Sequence, residues 1–141
     1  MGAIFVLVQF AALIGILATG PLLPARPVLL AVELAGLVLV AWAMLTMGLG
    51  KFGALPEPRA DARLVTHGPY AAIRHPMYTG LLLFSLPLVL AAPSPLRTGL
   101  WLVLLIDLVL KLHYEERLLA AKFPEYAAYR ERTKKLVPFV Y

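Results

Sequence analysis

Long apolar stretches alternate with short polar ones along the chain, and the apolar stretches come in pairs. Segment 3–23 (AIFVLVQFAALIGILATGPLL) and segment 28–49 (VLLAVELAGLVLVAWAMLTMGL) each approach or exceed the roughly 20 apolar residues a membrane-spanning helix needs. The stretch PARP at 24–27 separates them by a tight turn. Segment 77–92 is shorter and contains Pro87; segment 96–113 contains Arg97, Asp107 and Lys111; PSP at 93–95 joins these two as a hairpin. The pattern predicts an all-α, polytopic membrane protein of about four transmembrane helices, the second pair the less regular. A polar link, 50–76, divides the pairs, and a polar tail follows Lys111 and predicts a further cytoplasmic helix. The expected division is a helix pair at 1–49 and a core at 50–141 built around the 77–113 hairpin.

Composition agrees with the pattern. The 141 residues are 61% hydrophobic and 15% charged, with a mean hydropathy of +0.82. A soluble domain of this size cannot bury that much apolar surface in one core. No Cys is present, which removes disulfides, thiolate metal sites and Cys nucleophiles together. The first apolar segment has no Lys or Arg before it, as a signal peptide would, and is expected to stay in the mature protein.

The net charge of +5 is unevenly placed. The link carries Lys51, Arg59, Arg63 and Arg74, and the tail carries Arg117, Lys122, Arg130, Arg132, Lys134 and Lys135. The two tight turns carry only Arg26 and Arg97, so both termini and the link are expected on the cytoplasmic side. The membrane expected is the plasma or inner membrane in a bacterium, or that of the endoplasmic reticulum in a eukaryote. Basic residues in the tail alternate with Glu115, Glu116, Glu125 and Glu131, the pattern of a solvated helix on a membrane surface. Without a basic and aromatic platform, nucleic acid is not an expected partner.

Two polar clusters meet on that side. The stretch HGPYAAIRHPMYTG, 67–80, concentrates His, Tyr, Arg, Pro and Gly just before an apolar helix. A residue before Pro leaves the α region, so Arg74-His75 should end one short helix as Met77 begins the next. Backbone N–H groups at that start could hold an anionic ligand group. The plainer reading is a turn at the membrane surface with His and Tyr as interfacial anchors. The second cluster, DLVLKLHYEERLL at 107–119, puts Asp107, Lys111 and Glu115 on one helical face at i, i+4 and i+8. Ionisable groups in a membrane face the bundle interior and have a partner or a ligand, so an Asp107–Lys111 ion pair is the simplest account. Glu33 lies near the opposite surface and reads as structural. His67, His75 and His113 show no HExxH or similar spacing, so no metal site is expected; GxSxG and a strand-borne GxGxxG are also missing.

The stretch LVTHGPYAAIRHPMYTG, followed about 35 residues later by EERLLAAKFPEYAAYRERTKKLVPFVY, resembles the isoprenylcysteine carboxyl methyltransferase family of integral membrane methyltransferases. That family sits in a wider group with membrane phospholipid and thiol methyltransferases. The resemblance covers residues 62–141 and rests on RHPxYxG and EExxLxxxFxxYxxY together. It implies S-adenosylmethionine as methyl donor, contacted by Arg63, Leu64 and Val65, by Tyr70, by His75, Pro76, Met77 and Tyr78, and by Glu115. It implies an acceptor contact from the basic residue one turn before that Glu. The prenylcysteine enzymes have Arg there and this chain has Lys111. The FG usual before the tail's ExY is Phe123-Pro124 here.

The residues suit that chemistry on their own terms. A carboxylate such as Glu115 can bind ribose hydroxyls or an ammonium, and Tyr70 or Tyr78 can face adenine or a methylsulfonium cation. The donor's own carboxylate could be met by His75, Arg74 or free N–H groups. In-line displacement at a methyl carbon asks the protein for alignment and exclusion of water. A carboxylate acceptor needs no base; a thiol or amine would, with His113 or Glu116 as candidates. The implied acceptor is an amphipathic or lipid-like molecule entering sideways from membrane lipid. The competing readings are a sterol-reductase-like membrane enzyme using NADPH and a non-enzymatic membrane scaffold.

Overall fold

The computed structural model describes residues 1–48, 55–58 and 63–141. Residues 49–54 and 59–62, which include Lys51, Arg59 and Asp61 of the polar link, lie outside the described residues. The described chain is all-helical: α1 (Gly2–Ala18), α2 (Pro27–Met47), a 3-10 turn (Gly68–Ala71), α3 (Pro76–Ala91), α4 (Pro95–Lys122) and α5 (Tyr126–Arg132). Its one extended pairing is a single parallel bridge between Ile73 and Lys134.

Proline sets most helix boundaries. Pro27, Pro76 and Pro95 each stand in the first turn of a helix, where their missing N–H would have no partner anyway. Ser94 caps α4 by accepting from the Arg97 N–H. α1 ends at Ala18, five residues before the end of the apolar run, because Gly20-Pro21 cannot continue a helix. Gly48, just past the end of α2, caps it: its φ is positive at 96°, and its N–H donates to the carbonyls of Met44 and Leu45. α4 differs most from expectation. It runs 28 residues without a break at 113, carrying the hairpin's second helix about 42 Å, well past the expected membrane boundary. Extended Phe123 before Pro124 stops it, so the expected tail helix divides into the end of α4 and the short α5.

The four-span expectation is met only in part. Among the described helices, α2 alone is long and apolar enough to cross a membrane by length and composition. α1 and α3 are apolar but have 17 and 16 residues, about 25 Å of helix against a hydrocarbon core of about 30 Å. The surface is inverted relative to a soluble bundle: α2 buries Glu33, Gly36 and Ala43 and exposes Leu34, Leu37 and Val38. Leu7 on α1 and Ile106 on α4 are likewise exposed.

α2 lies against α3 through small residues. A Cβ on Gly36 would stand 2.5 Å from the Phe84 nitrogen and 2.7 Å from the Gly80 oxygen, so only glycine lets the two backbones meet there. α1 packs on α4 and α3 around Ala12, Leu13, Tyr78, Leu104, Leu108 and Leu112. At the far end, Arg97 is fully buried and donates to the carbonyls of Ile16 (2.7 Å) and Leu88 (2.5 Å). It thereby closes the last turns of α1 and α3, where helix dipoles favour a cation. The turn at 24–27 and the Pro95 end lie at that pole; the polar clusters gather at the other.

Candidate functional site

The 67–80 stretch folds as a cradle. Gly68 takes a positive φ of 59° and sits against Thr46 at the end of α2. The 3-10 turn that follows brings Tyr70 inward. The chain then runs beside the tail: the N–H groups of Arg74 and His75 donate to the carbonyls of Lys134 and Lys135, and the Lys134 N–H donates to the Ala72 carbonyl. Tyr129 on α5 donates to the Tyr70 carbonyl at 2.7 Å. The N–H groups expected to be free at the start of α3 are largely used, since those of Tyr78 and Thr79 both donate to the His75 carbonyl.

α4 presents its acids to this cradle, and Glu115 and Glu116 take different roles. Glu116 is buried and accepts from Arg74 Nε at 2.6 Å and from His75 Nε2 at 3.3 Å. Burial alone would raise its carboxyl, but the hydrogen bonds from His75 and Arg74, with their charges, outweigh it and bring it down to about 2. Arg74 also donates to the carbonyls of Thr133 (2.5 Å) and Arg130 (3.3 Å). It is thus a clamp between α4 and the tail, not the free donor proposed for a ligand carboxylate. Glu116 is no candidate base for the same reason. His113 is also excluded from that role, because Nδ1 donates to the Val109 carbonyl and Nε2 accepts from Lys135.

Glu115 is only partly engaged. Its Oε2 accepts from the Tyr78 hydroxyl at 2.7 Å and stands 3.6 Å from His75 Nδ1, while Oε1 has no hydrogen-bond partner among the described residues. The His75 and Tyr78 rings stack at 5.2 Å with 9° between planes, which fixes both against the carboxylate. One turn earlier the expected Asp107–Lys111 pair does not form. No carboxylate lies within 4 Å of the Lys111 ammonium among the described residues; it donates instead to Gln9 Oε1 at 2.9 Å and lies 5.3 Å from the Tyr78 ring centre.

These groups share one cavity of about 890 Å³. Every residue named from the sequence for a cofactor or acceptor contact lines it: Arg63, Leu64, Val65, Tyr70, His75, Pro76, Met77, Tyr78 and Glu115 for the cofactor, and Lys111 for the acceptor; the candidate bases His113 and Glu116 do not. Gln9, Glu57 and Tyr126 line it too and were not named. Gln9 had a signal, being the one polar side chain in α1. Tyr126 belongs to the tail motif but carried no assigned role.

A nucleoside-bearing sulfonium amino acid fits this wall by size and by chemistry. The volume lies within the roughly 300–1,000 Å³ of small-molecule sites. Buried hydroxyls of Tyr70 and Tyr126 have no partner among the described residues, so each has a hydrogen bond to give a ligand. Burial raises the Tyr70 phenol, with Glu115 adding to it; burial raises that of Tyr126, with Glu116 adding. Both therefore stay protonated donors at neutral pH. Glu115 Oε1 supplies an acceptor for ribose or ammonium, and the Arg63 side chain a cation for a carboxylate. Among the described residues no three His, Asp or Glu gather as a metal site would.

The family model described as phospholipid methyltransferase matches residues 28–126. The cobalt-zinc-cadmium resistance protein CzcN of Cupriavidus metallidurans is 36% identical over 86 residues, covering 57% of this chain and 38% of that protein. The chain therefore matches well under half the length of that relative. α1, with Gln9, and the tail from Ala127 fall outside the family match.

Proposed function

The chain belongs to the phospholipid methyltransferase family, and on that footing we propose that it is an integral membrane enzyme moving a methyl group from S-adenosylmethionine to an amphipathic, lipid-like acceptor. The observation that carries this reading is the single cavity shared by the two distant motifs, with Glu115 of α4 against Tyr78 and His75 of α3. When bound, S-adenosylmethionine supplies a methyl carbon made electrophilic by its sulfonium. The chain's work is to bind and orient. Tyr78 fixes Glu115, the Arg74–Glu116 pair ties the cradle to α4, and the apolar wall of Phe10, Leu13, Val40, Met44 and Leu81 excludes water and receives an acyl or prenyl chain. Residues 50–141 carry the cofactor contacts in this reading, while the 1–49 pair completes the cavity wall.

Equilibrium binding of S-adenosylhomocysteine and of NADPH to the full chain in detergent tests the proposal. Binding of S-adenosylhomocysteine alone is the expected result. Binding of NADPH alone would replace it with a reductase, and binding of neither would leave a scaffold.

The proposed topology has α1 to α4 in the membrane and both ends cytoplasmic. The outward apolar faces of α1, α2 and α4 support it, as does the Lys and Arg bias. Single Cys substitutions at exposed Leu22, in the turn after α1, and at Ala128 on α5 should react with an impermeant maleimide from opposite faces of sealed vesicles. Labelling of both from one face would overturn the topology.

A further inference from the structure

The tail returns to the helix bundle after α5 and then turns outward. Thr79 Oγ1, in the first turn of α3, donates to the Leu136 carbonyl at 2.7 Å. Leu136 itself is buried in the cluster that holds Tyr78, Leu108 and Leu112. The chain has therefore reached the level at which the apolar run of α3 begins. There it folds back on itself. The N–H groups of Leu136 and Val137 donate to the main-chain oxygen of Tyr141, and those of Val140 and Tyr141 donate to the Val137 carbonyl. Phe139 forms the tip at a φ of 66°, a left-handed conformation that a bulky side chain seldom adopts. Its ring is left outside the fold, 95% exposed, and Val137 and Val140 are exposed with it.

Basic side chains stand beside this apolar turn. A groove of about 490 Å³ is lined by Arg130, Glu131, Lys134 and Lys135 and, from the turn itself, by Val140 and Tyr141. From Tyr126 to Tyr141 the chain carries Arg130, Arg132, Lys134 and Lys135 against the single acid Glu131. Among the described residues no carboxylate lies within 4 Å of the charged groups of Arg130, Lys134 or Lys135. Lys135 Nζ instead meets His113 Nε2 at 3.0 Å and lies 4.7 Å from the Tyr141 ring centre. Water would leave Phe139 and Val140 unburied, and a second copy of this chain would bring like charge to the groove. An anionic phospholipid satisfies both parts, with a phosphate for the cations and acyl chains for the apolar tip.

We infer that the turn at 137–141 and its groove form a docking surface for an anionic phospholipid of the cytoplasmic leaflet. The headgroup phosphate lies among Arg130, Lys134 and Lys135, and the acyl chains lie against Phe139 and Val140. This lipid is not the methyl acceptor. The groove and the 890 Å³ cavity share only Arg74 among their lining residues, and its guanidinium is engaged by Glu116 and the tail carbonyls. The surface is independent of the methyltransferase reading; the depth of the turn rests on the proposed topology.

The test uses the full chain in nanodiscs, with one introduced Cys carrying a bimane, since the sequence has no other Cys. The quenchers are phosphatidylglycerol and phosphatidylcholine, each with a nitroxide near the headgroup end of one acyl chain. A probe at Phe139→Cys should be quenched more than one at exposed Ala121→Cys near the end of α4. Phosphatidylglycerol, whose phosphate has no choline cation to offset it, should quench at least about threefold more effectively than phosphatidylcholine. Arg130→Gln with Lys134→Gln should bring that ratio to near one while quenching by phosphatidylcholine persists. Equal quenching by the two lipids in the parent, or an unchanged ratio in the double variant, overturns the surface. Unquenched, blue-shifted emission at Phe139→Cys would mean that protein covers the turn, and would also overturn it. Ile106→Cys, on the exposed face of α4, separates this from the topology. Quenching at 106 without quenching at 139 removes the docking surface and keeps the membrane helices. Quenching at 139 without quenching at 106 keeps the surface and counts against the topology. If Phe139→Cys does not fold, exposed Val140→Cys carries the probe with the same expectations.

Discussion

Glu115→Ala weakens S-adenosylhomocysteine binding by at least about tenfold, which is about 1.4 kcal/mol or more and is the range of one charge-assisted hydrogen bond. The expectation comes from what each carboxylate oxygen does. Oε2 is held by Tyr78 at 2.7 Å, so the group is oriented before any ligand arrives, and Oε1, which has no hydrogen-bond partner among the described residues, can accept from one. Removing the side chain deletes the acceptor and releases the Tyr78 hydroxyl that defined its position. Glu115→Gln separates these effects, because an amide oxygen can still accept from Tyr78 while the charge is gone. A loss in Gln close to that in Ala would say that charge carries the contact; a small loss would say that hydrogen-bond geometry does. Calorimetric titration of the folded variants gives both, and binding unchanged in Glu115→Ala would remove this residue from the site.

The carboxylate beside it shows how far the sequence could be read. Apolar runs locate α1 to α4, because a chain this hydrophobic folds only by making helices of them, and Pro27, Pro76 and Pro95 mark their starts. The end of α1 was legible in Gly20-Pro21 yet masked by the two Leu that follow. The length of α4 was not legible, since an amphipathic cytoplasmic turn and an apolar membrane turn share one helical geometry and no residue between 107 and 122 breaks it. The motifs at 67–80 and 107–119 were visible as polar islands, and the fold brings them to one cavity. Which Glu faces that cavity followed from helical periodicity. What the other Glu does could not follow, because its partner Arg74 lies 42 residues away and is aimed by the tail's carbonyls. The same holds for Lys111. Its i−4 neighbour Asp107 is the local choice of partner, and only tertiary packing of α1 on α4 brings Gln9 closer, from 102 residues away.

Glu116→Ala should instead destabilise the fold, by about 3–5 kcal/mol, the usual cost of leaving one member of a buried ion pair uncompensated. Arg74 and Glu116 are each 7% exposed, and the guanidinium bridges α4 to the carbonyls of Arg130 and Thr133. Loss of the carboxylate therefore loosens the tail that covers the cradle, and the melting temperature in detergent should fall sharply while the remaining folded molecules still bind S-adenosylhomocysteine. Acid gives an independent check with a definite sign. Glu116 titrates near 2 in the folded chain against an ordinary value of 4.5, so its contribution is complete above about pH 4.5 and is lost as pH falls toward 2. Between pH 6 and pH 3 that amounts to about 2 kcal/mol, on the scale of roughly 1.4 kcal/mol per pH unit. Glu116→Gln cannot titrate, so it should be less stable than the parent at pH 6 and lose less between pH 6 and pH 3, bringing the two melting temperatures together in acid. Parallel losses in parent and variant over that range would show that the Arg74–Glu116 pair does not hold the tail on α4.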